Sequence, residues 1–447
     1  MVRSPSHQSA AGKASREKAP HRSHGDLELS SQRDPIGILR QSDRERLRDL
    51  VPIRYGRMMQ SPFAFFRGSA AIMAADLSNT PTNGLRVQAC GDCHLKNFGG
   101  FATPERHLVL DINDFDETLP APWEWDVKRL ATSFILAVRE NGITETVGRE
   151  VAESCVRSYR KSIRAFSKLD PLAVWYEKLT AEEFVESVSA DARGRVARRV
   201  EKARVQRGAD IDYPKLAEMV GGEIRIKDAP PLIFHPDIAR APEVESGVDR
   251  VLKEYRETLP DDRRILFDRY HFVDAAIKVV GIGSVGTRCW IALLMSSANE
   301  PLFLQLKQAN PSVLEPYAGK SLYPHNGQRV VMGQRLVQAA SDIFLGWTTG
   351  AAGDYYVRQL RDAKIGPNVE TFDEEMFRVY AKACGWNLAR AHAKTGDSSA
   401  LAGYLGKADT FDEAIAGFAV AYANQTERDY ATLKKAVKLG EIQAYIE

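Results

Sequence analysis

The spacing of the apolar residues changes twice along this chain, and this limits the possible folds more than any other feature. Between residues 125 and 268 apolar side chains recur at helical spacing. From about residue 274, short runs of strand-forming residues follow one another, separated by Gly, Asn and Pro. Helical spacing returns beyond Pro367. The pattern predicts an α+β fold in which a β-rich unit interrupts a mainly helical one.

Four segments are expected along the chain. The first carries many Ser, His and charged residues and has too little apolar surface to offset the entropy of ordering, so we expect a disordered tail. The second is a large helical lobe, the third a small antiparallel β-rich lobe, and the fourth a group of helices that completes the large lobe. In order, they are residues 1–34, 35–270, 271–366 and 367–447.

Charge and composition argue against several classes of protein. A formal net charge of +2 gives no overall attraction to nucleic acid. The one basic run, residues 193–207, has an apolar stripe at helical spacing and is typical of a solvated helix face, with an acidic partner as the alternative. Without a run of eighteen apolar residues or a signal-peptide core, the chain should be cytoplasmic and free of the membrane. Its five cysteines should stay thiols there.

Two polar segments beside short predicted strands carry candidate chemistry. Residues 90–97 read Cys-Gly-Asp-Cys-His-Leu-Lys-Asn, and residues 113–116 read Asn-Asp-Phe-Asp. Phosphoryl transfer needs Mg²⁺, oxygen ligands for the metal, and a carboxylate that orients the attacking hydroxyl. Asp92 is the candidate base, and Asn97 and Asp114 are the candidate metal ligands. Each segment alone would predict only a turn.

Residues 87–125 resemble the catalytic segment of aminoglycoside-phosphotransferase and choline-kinase-like enzymes, which carry Gly-Asp-x-His-x-x-Asn, then Asp-Phe-(Asp/Gly), then Trp-Asp. The matching residues here are Gly91, Asp92, His94, Asn97, Asp114, Phe115, Asp116, Trp125 and Asp126. One departure is Cys90, where the superfamily usually has His. The resemblance implies that His94 and Asp126 orient the catalytic loop and that Arg129 pairs with a carboxylate.

A glycine-rich segment lies much later in the chain, with Gly281, Gly283 and Gly286. The residues after it are β-branched and aromatic rather than helix-forming, and no lysine follows the last glycine, which argues against dinucleotide and Walker loops. A kinase glycine loop joins two strands, and the next strand carries a lysine, for which Lys307 is the candidate. We expect Glu315 to be its ion-pair partner. An exposed edge-strand lysine and a surface glutamate are the alternatives.

The order of these segments is the reverse of that in ordinary kinases, because the glycine segment follows the catalytic segment by about 190 residues. A circular permutation resolves this, since permutation is tolerated where chain termini lie close together at the surface. Residues 274–364 would be the nucleotide lobe and residues 356–360 its hinge strand. We therefore expect a circularly permuted, two-lobed, protein-kinase-like fold.

Three blocks also resemble a bacterial family of unknown function. They are residues 61–68, 113–117 and 333–336, and the resemblance covers nearly everything after Pro35. It implies no substrate. Arg67, within the first block, is a candidate contact for substrate or phosphate.

Other functions fit parts of the same motif. Cys-Gly-Asp-Cys-His matches the haem c attachment pattern, and its Cys-x-x-Cys matches thioredoxin-type and zinc sites, but export, a surrounding thioredoxin unit and further zinc ligands are not indicated. A metal-dependent phosphoesterase would need later histidines, for which His271, His325 and His392 are the candidates. None of these stands beside another ligand-type residue at a useful spacing.

The sequence therefore predicts an enzyme that uses ATP and Mg²⁺ to phosphorylate a hydroxyl of an unknown acceptor. Transfer of AMP in place of phosphate, and a non-catalytic nucleotide-binding scaffold, remain alternatives. The acceptor itself cannot be deduced, because a fold does not fix its substrate.

Overall fold

The computed structural model is an α+β structure with antiparallel sheets. It describes residues 4–205, 213, 215–235, 243–360 and 363–445. The helices are α1 Pro5–Ala14, α2 Pro35–Ser42, α3 Val51–Met58, α4 Pro62–Gly68, α5 Ala70–Leu77, α6 Trp123–Glu140, α7 Glu145–Phe166, α8 Pro171–Tyr176, α9 Ala181–Ser187, α10 Ala190–Val205, α11 Glu243–Thr258, α12 Asp261–Phe267, α13 Glu315–Ala318, α14 Asn326–Val337, α15 Glu374–Thr395, α16 Ser398–Leu405 and α17 Thr410–Lys438. The strands are β1 Arg86–Ala89, β2 Phe98–Ala102, β3 Leu108–Ile112, β4 Leu119–Pro122, β5 Leu179–Thr180, β6 Ala217–Val220, β7 Glu223–Ile226, β8 Ile233–Phe234, β9 Tyr270–Lys278, β10 Cys289–Ser296, β11 Pro301–Gln308, β12 Gly346–Gly350 and β13 Gly353–Gln359.

A six-stranded antiparallel sheet has the order β12-β13-β11-β10-β9-β8. The glycine segment joins β9 to β10, and the connection from β11 to β12 contains α13 and α14. Side chains alternate between the two faces of a strand. In β11, Leu302, Leu304 and Leu306 pack in an apolar cluster on one face. Lys307 lies on the other face and is only 3% exposed. This is the alternation that the sequence predicts.

The helices α11 and α12 precede the expected lobe boundary at residue 270, yet they pack against this sheet. Tyr255, Leu259 and Phe267 belong to the same cluster as the leucines of β11. The Tyr255 hydroxyl also donates a hydrogen bond to the carbonyl of Phe344 at 2.6 Å. Helical spacing shows that one face of a helix is buried but not what covers it. The sheet unit therefore begins earlier in the chain than the sequence predicts.

The N-terminal segment also differs from the disordered tail expected for residues 1–34. The helix α1 begins at Pro5, after an N-cap at Ser4, and packs closely on α16. Farther along, the Arg33 guanidinium forms ion pairs with Asp76 at 2.7 Å and Asp429 at 2.6 Å. These partners lie far away in sequence, so the local composition gave no sign of them.

The helical part packs around the largest apolar cluster. Four helices form its frame: α6, α7, α15 and α17. Two small antiparallel units, the β1–β4 pair and the β2–β3–β5 sheet, lie at one side of it and hold the polar motifs in the loops between their strands.

Two expectations from composition can be compared with the structure. The basic run lies largely on α10, where the Arg204 guanidinium pairs with Glu182 and Arg199 donates to the carbonyl of Gly366 at 2.9 Å. Arg207, the last residue of the run, falls outside the described residues. None of the described helices combines the length and the apolar character needed to span a membrane.

Candidate active site

Eight of the residues singled out from the sequence line one cavity of about 160 Å³. They come from four separate parts of the chain, α4 and three loops: Arg67, Asp92, His94, Asn97, Asp114, Asp116, Gly281 and Gly283. The remaining five do not line it: Asp126, Arg129, Gly286, Lys307 and Glu315. The loop after β1, the segment after β3 and the glycine segment therefore meet at a single site.

Hydrogen bonds to a side chain outside the cavity fix the loop that carries Asp92. The carboxylate of Asp126 accepts from the backbone N–H of Cys90 at 2.7 Å and of Gly91 at 3.0 Å. The Nε2 of His392 lies 3.3 Å from the same carboxylate. Gly91 has a φ of +82°, and a Cβ there would lie 2.4 Å from the carbonyl oxygen of Glu117. Only glycine fits this turn, and the Asp126 carboxylate holds the backbone of the loop.

Arg129 holds the Asp92 carboxylate directly. Its Nε donates to Asp92 Oδ1 at 2.7 Å, and its Nη2 donates to the same oxygen and to the carbonyl of Phe66 at 3.0 Å. The other carboxylate oxygen, Oδ2, lies 3.8 Å from His94 Nε2. Burial, followed by the charges of Arg67 and Arg129, lowers the pKa of His94 to about 3 against the opposing effect of Asp92. His94 is therefore neutral near pH 7 and contributes no charge to the cavity.

Asn97 and Asp114 present oxygen atoms to the cavity. The Asn97 side-chain amide donates to the carbonyl of Asp92 at 2.8 Å, which leaves its Oδ1 as an acceptor. Asp114 forms no ion pair with a described side chain, and Oδ1 accepts only a long bond of 3.3 Å from the backbone N–H of Asp116. Burial, then the neighbouring charge of Asp116, raises the pKa of Asp114. This carboxylate would be stabilised by a cation.

Asp116 connects the six-stranded sheet to the segment after β3. Its Oδ2 accepts from Lys307 Nζ at 2.7 Å and from Ser284 Oγ at 3.3 Å, and its Oδ1 accepts from the Tyr356 hydroxyl at 2.6 Å. Burial alone would raise the pKa of Asp116, but Lys307 and Tyr356 lower it. The expectation that Glu315 pairs with Lys307 is wrong, because Asp116 takes this place and Glu315 lies half-buried at the start of α13.

The glycine segment forms the turn of the antiparallel β9–β10 hairpin, whereas a dinucleotide loop would open a helix. Gly281 and Gly286 have positive φ values of +67° and +88°. Gly283 lies close to the carbonyl oxygen of Arg67, which a Cβ would approach to 3.3 Å. The carbonyl of Gly281 accepts a hydrogen bond from Arg57 at 2.6 Å. The segment is therefore held against α3 and α4.

Several cavity residues were missed in the sequence. Glu117 directly follows the Asn-Asp-Phe-Asp motif and accepts from the backbone N–H of Val313 at 2.7 Å. Burial raises its pKa to about 7, against the opposing charge of Arg329. Arg46 and Arg54 also line the cavity. Glu117 was marked only by a run of acidic residues and by its place in the family-like block 113–117, and nothing local marked the two arginines.

The cysteines of the motif form a separate buried cluster. Cys90, Cys93 and Asp126 are the one compact group of three ligand-type residues found among the described residues. The four carboxylates that line the cavity do not form such a group. Both thiols are buried, and the pKa of each is raised. Asp126 already accepts two backbone N–H groups. This cluster is better suited to packing than to a metal.

The histidines that a phosphoesterase would need do not line the cavity. His392 contacts Asp126 and the hydroxyl of Tyr159, His325 caps α14, and His271 is exposed. A larger cavity of about 570 Å³ lies beside Arg358 and Asn113 but contains none of the predicted catalytic residues.

The geometry thus defines the class of protein: an α+β chain in which carboxylates and a glycine hairpin surround one cavity. The chain belongs to a family described as an uncharacterized protein conserved in bacteria (DUF2252), whose model matches residues 46–436. Neither the curated proteins nor the solved structures gave a match. The predicted membership of a bacterial family of unknown function is confirmed.

Proposed function

We propose that this protein is a Mg-ATP-dependent phosphotransferase that acts on a hydroxyl group, with a circularly permuted, protein-kinase-like fold. One observation carries the proposal: the loop of Asp92 and the glycine segment, about 190 residues apart, line the same cavity. Carboxylates, a carboxamide and glycine backbone are the groups that Mg²⁺ and phosphates require. If each segment were only a turn, nothing would require them to meet.

The strand order gives independent support. The glycine hairpin joins β9 to β10, Lys307 lies on the following strand β11, and the helix α14 lies between β11 and β12 in the chain. Protein kinases carry their phosphate-binding lysine on the third strand, followed by a helix. Because this sheet follows the catalytic segment in sequence, the same arrangement supports a permutation.

The residues present fit a magnesium ion. Asp114 is a carboxylate without an ion pair to any described side chain, and the carbonyl oxygen of Asn97 accepts no hydrogen bond from the described residues. Mg²⁺ is usually held by one or two carboxylates, with waters and phosphate oxygens completing its shell. Asn97 and Asp114 would hold the ion, which neutralises phosphate charge when it is bound.

Asp92 is placed to accept a proton. Arg129 occupies its Oδ1, so Oδ2 is the oxygen left for an acceptor hydroxyl. During transfer, Asp92 takes the hydroxyl proton while the acceptor oxygen bonds to the γ-phosphorus and the bond from that phosphorus to the departing ADP breaks. At about 160 Å³ the cavity suits the phosphates and not a whole nucleotide, so the nucleoside would extend beyond it.

A thermal shift series tests this proposal. The melting temperature of the full chain is measured with ATP, Mg²⁺, both and neither, because a ligand stabilises only the form that binds it. We expect a shift with Mg-ATP in the wild type, its loss in Asp114→Ala, and its retention in Asp92→Asn. As a control, Asp262→Asn changes an exposed carboxylate that lies in α12, outside the cavity.

Turnover then separates the alternatives. Release of ADP that disappears in Asp92→Asn supports phosphate transfer, whereas release of pyrophosphate indicates AMP transfer. Binding of Mg-ATP without release of either product would indicate a non-catalytic nucleotide-binding scaffold. Absence of a Mg-ATP shift in the wild type contradicts the proposal.

A further inference from the structure

Three arginines from the segment before the motif also line the cavity. They are Arg46, Arg54 and Arg67. Two of them are already engaged with the protein. Arg54 donates to Asp43 at 2.6 Å and to the carbonyl of Gly68 at 2.9 Å. Arg46 donates to the carbonyls of Val285 and Ser42.

Arg67 differs from these two because its guanidinium has no hydrogen bond or ion pair among the described residues. Its Nε is buried without a partner, and its nearest ring, that of Phe63, lies 6.0 Å away. Arginine stays protonated in proteins, and this half-buried side chain keeps a charged group at the cavity with an Nε that no described residue satisfies. An unpaired guanidinium in the wall of a cavity is therefore a site for an anion.

The position of Arg67 indicates which anion. It lies at the end of α4, where its carbonyl oxygen contacts Gly283, and its side chain faces the cavity shared with Asp92. A molecule whose hydroxyl lies at Asp92 would thus have its other end near Arg67.

We propose that the acceptor is itself an anion: a small hydroxy compound whose phosphate or carboxylate pairs with Arg67 while its hydroxyl lies at Asp92. This inference depends on the proposed phosphotransferase function for the transfer step but not for the binding of the anion. Arginine suits both groups because its planar fork matches them bidentately.

Binding is tested first, without nucleotide. Thermal shifts of the full chain are measured with glycerol 3-phosphate, glycerate and neutral glycerol at constant ionic strength. We expect a shift with one or both anions and none with glycerol, which also tells phosphate from carboxylate. Arg67→Gln should abolish the shift, and Arg67→Lys should restore part of it. Arg40→Gln, an exposed arginine 4.0 Å from Glu441 and outside the cavity, is the matched control.

Transfer is tested next, by following ADP release with the same three compounds. The anionic acceptor should be used at least about tenfold better than glycerol, and Arg67→Gln should raise the KM for that acceptor about tenfold or more while the Mg-ATP shift is unchanged.

Equal shifts with the anion in wild type and Arg67→Gln, or no shift with any anion, overturn the inference. If Arg67→Gln loses the Mg-ATP shift as well, the arginine contacts the nucleotide and the inference fails. If an anion raises the melting temperature but Mg-ATP does not, the anion site is supported and only the proposed phosphotransferase function is contradicted.

Discussion

Lys307 and Asp116, 191 residues apart in the chain, form an ion pair of 2.7 Å that joins the six-stranded sheet to the segment after β3. The lysine is 3% exposed, and the Tyr356 hydroxyl occupies the second carboxylate oxygen at 2.6 Å. A buried charge that loses its partner is strongly destabilising, so this pair fixes the relative position of the two elements that bound the cavity.

Asp116→Ala should lower the free energy of unfolding by about 3 kcal/mol, because it leaves the Lys307 ammonium buried and unpaired. Urea denaturation measures this. Glu315→Ala, which removes the partner expected from the sequence, should change stability by less than about 0.5 kcal/mol. Lys307→Met combined with Asp116→Leu should recover part of the loss. Equal effects of Asp116→Ala and Glu315→Ala would show that the ion pair does not matter for stability.

Arg129→Met should reduce ATP turnover by about 100-fold, because Asp92 loses the group that fixes its carboxylate. The thermal shift with Mg-ATP should remain, since Arg129 does not line the cavity. Arg139→Met is the matched control on the same helix, where the arginine pairs with Glu145 and Glu427 far from the site. A loss of nucleotide binding in Arg129→Met would mean that its role is structural and not the positioning of Asp92.

Lys128→Met should stabilise the protein, because the Lys128 ammonium is fully buried and has no hydrogen-bond partner among the described residues. Burial lowers the pKa of Lys128 to about 7, against the opposing charge of Glu124. A lysine whose folded pKa is depressed carries its full penalty below that value and loses it as the pH rises towards the ordinary pKa. The gain should therefore be about 2 kcal/mol at pH 6 and smaller at pH 9 in urea denaturation.

Lys394→Met is the control for that measurement, since Lys394 donates to the carbonyl of Gln338 at 2.7 Å and its removal should bring no gain. A stabilisation by Lys128→Met that grows with pH would contradict the assignment of a buried, unpaired ammonium.

Gly91→Ala should be far more destabilising than Gly84→Ala. Both glycines have positive φ values, +82° and +84°, so the backbone strain of alanine is similar. A Cβ at Gly91 would meet the carbonyl oxygen of Glu117 at 2.4 Å, whereas nothing lies within 4 Å at Gly84. We expect about 1 kcal/mol for Gly84→Ala and at least about 3 kcal/mol for Gly91→Ala by calorimetry. Similar losses at the two sites would disprove the close approach.

Arg33→Met should cost about 3 kcal/mol or more, because it leaves two buried carboxylates, Asp76 and Asp429, without their shared cation. Arg22→Met, at an exposed position of the same segment, should be nearly neutral. Chemical denaturation of both variants tests whether residues 1–34 belong to the folded unit. Two equally neutral variants would support the disordered tail that composition predicts.

The residue types that line the cavity could be predicted from short motifs, because carboxylates, an asparagine and glycines can be recognised in the sequence itself. Asp92, Asn97 and Asp114 were identified in this way, and the alternation of Leu302 to Lys307 followed from strand geometry. The α+β class followed from the change of apolar spacing.

Pairings between distant residues could not be predicted, because hydrophobic spacing shows which side chains are buried and not what they meet. Glu315, which is near Lys307 in sequence, was predicted as its ion-pair partner, but in the folded structure Lys307 pairs with Asp116. The same reason applies to Arg33, whose partners lie 43 and 396 residues away. The sequence alone thus determined the kinds of groups at the site, whereas the tertiary structure decided which of them face the cavity and gave the Arg67 guanidinium no partner among the described residues.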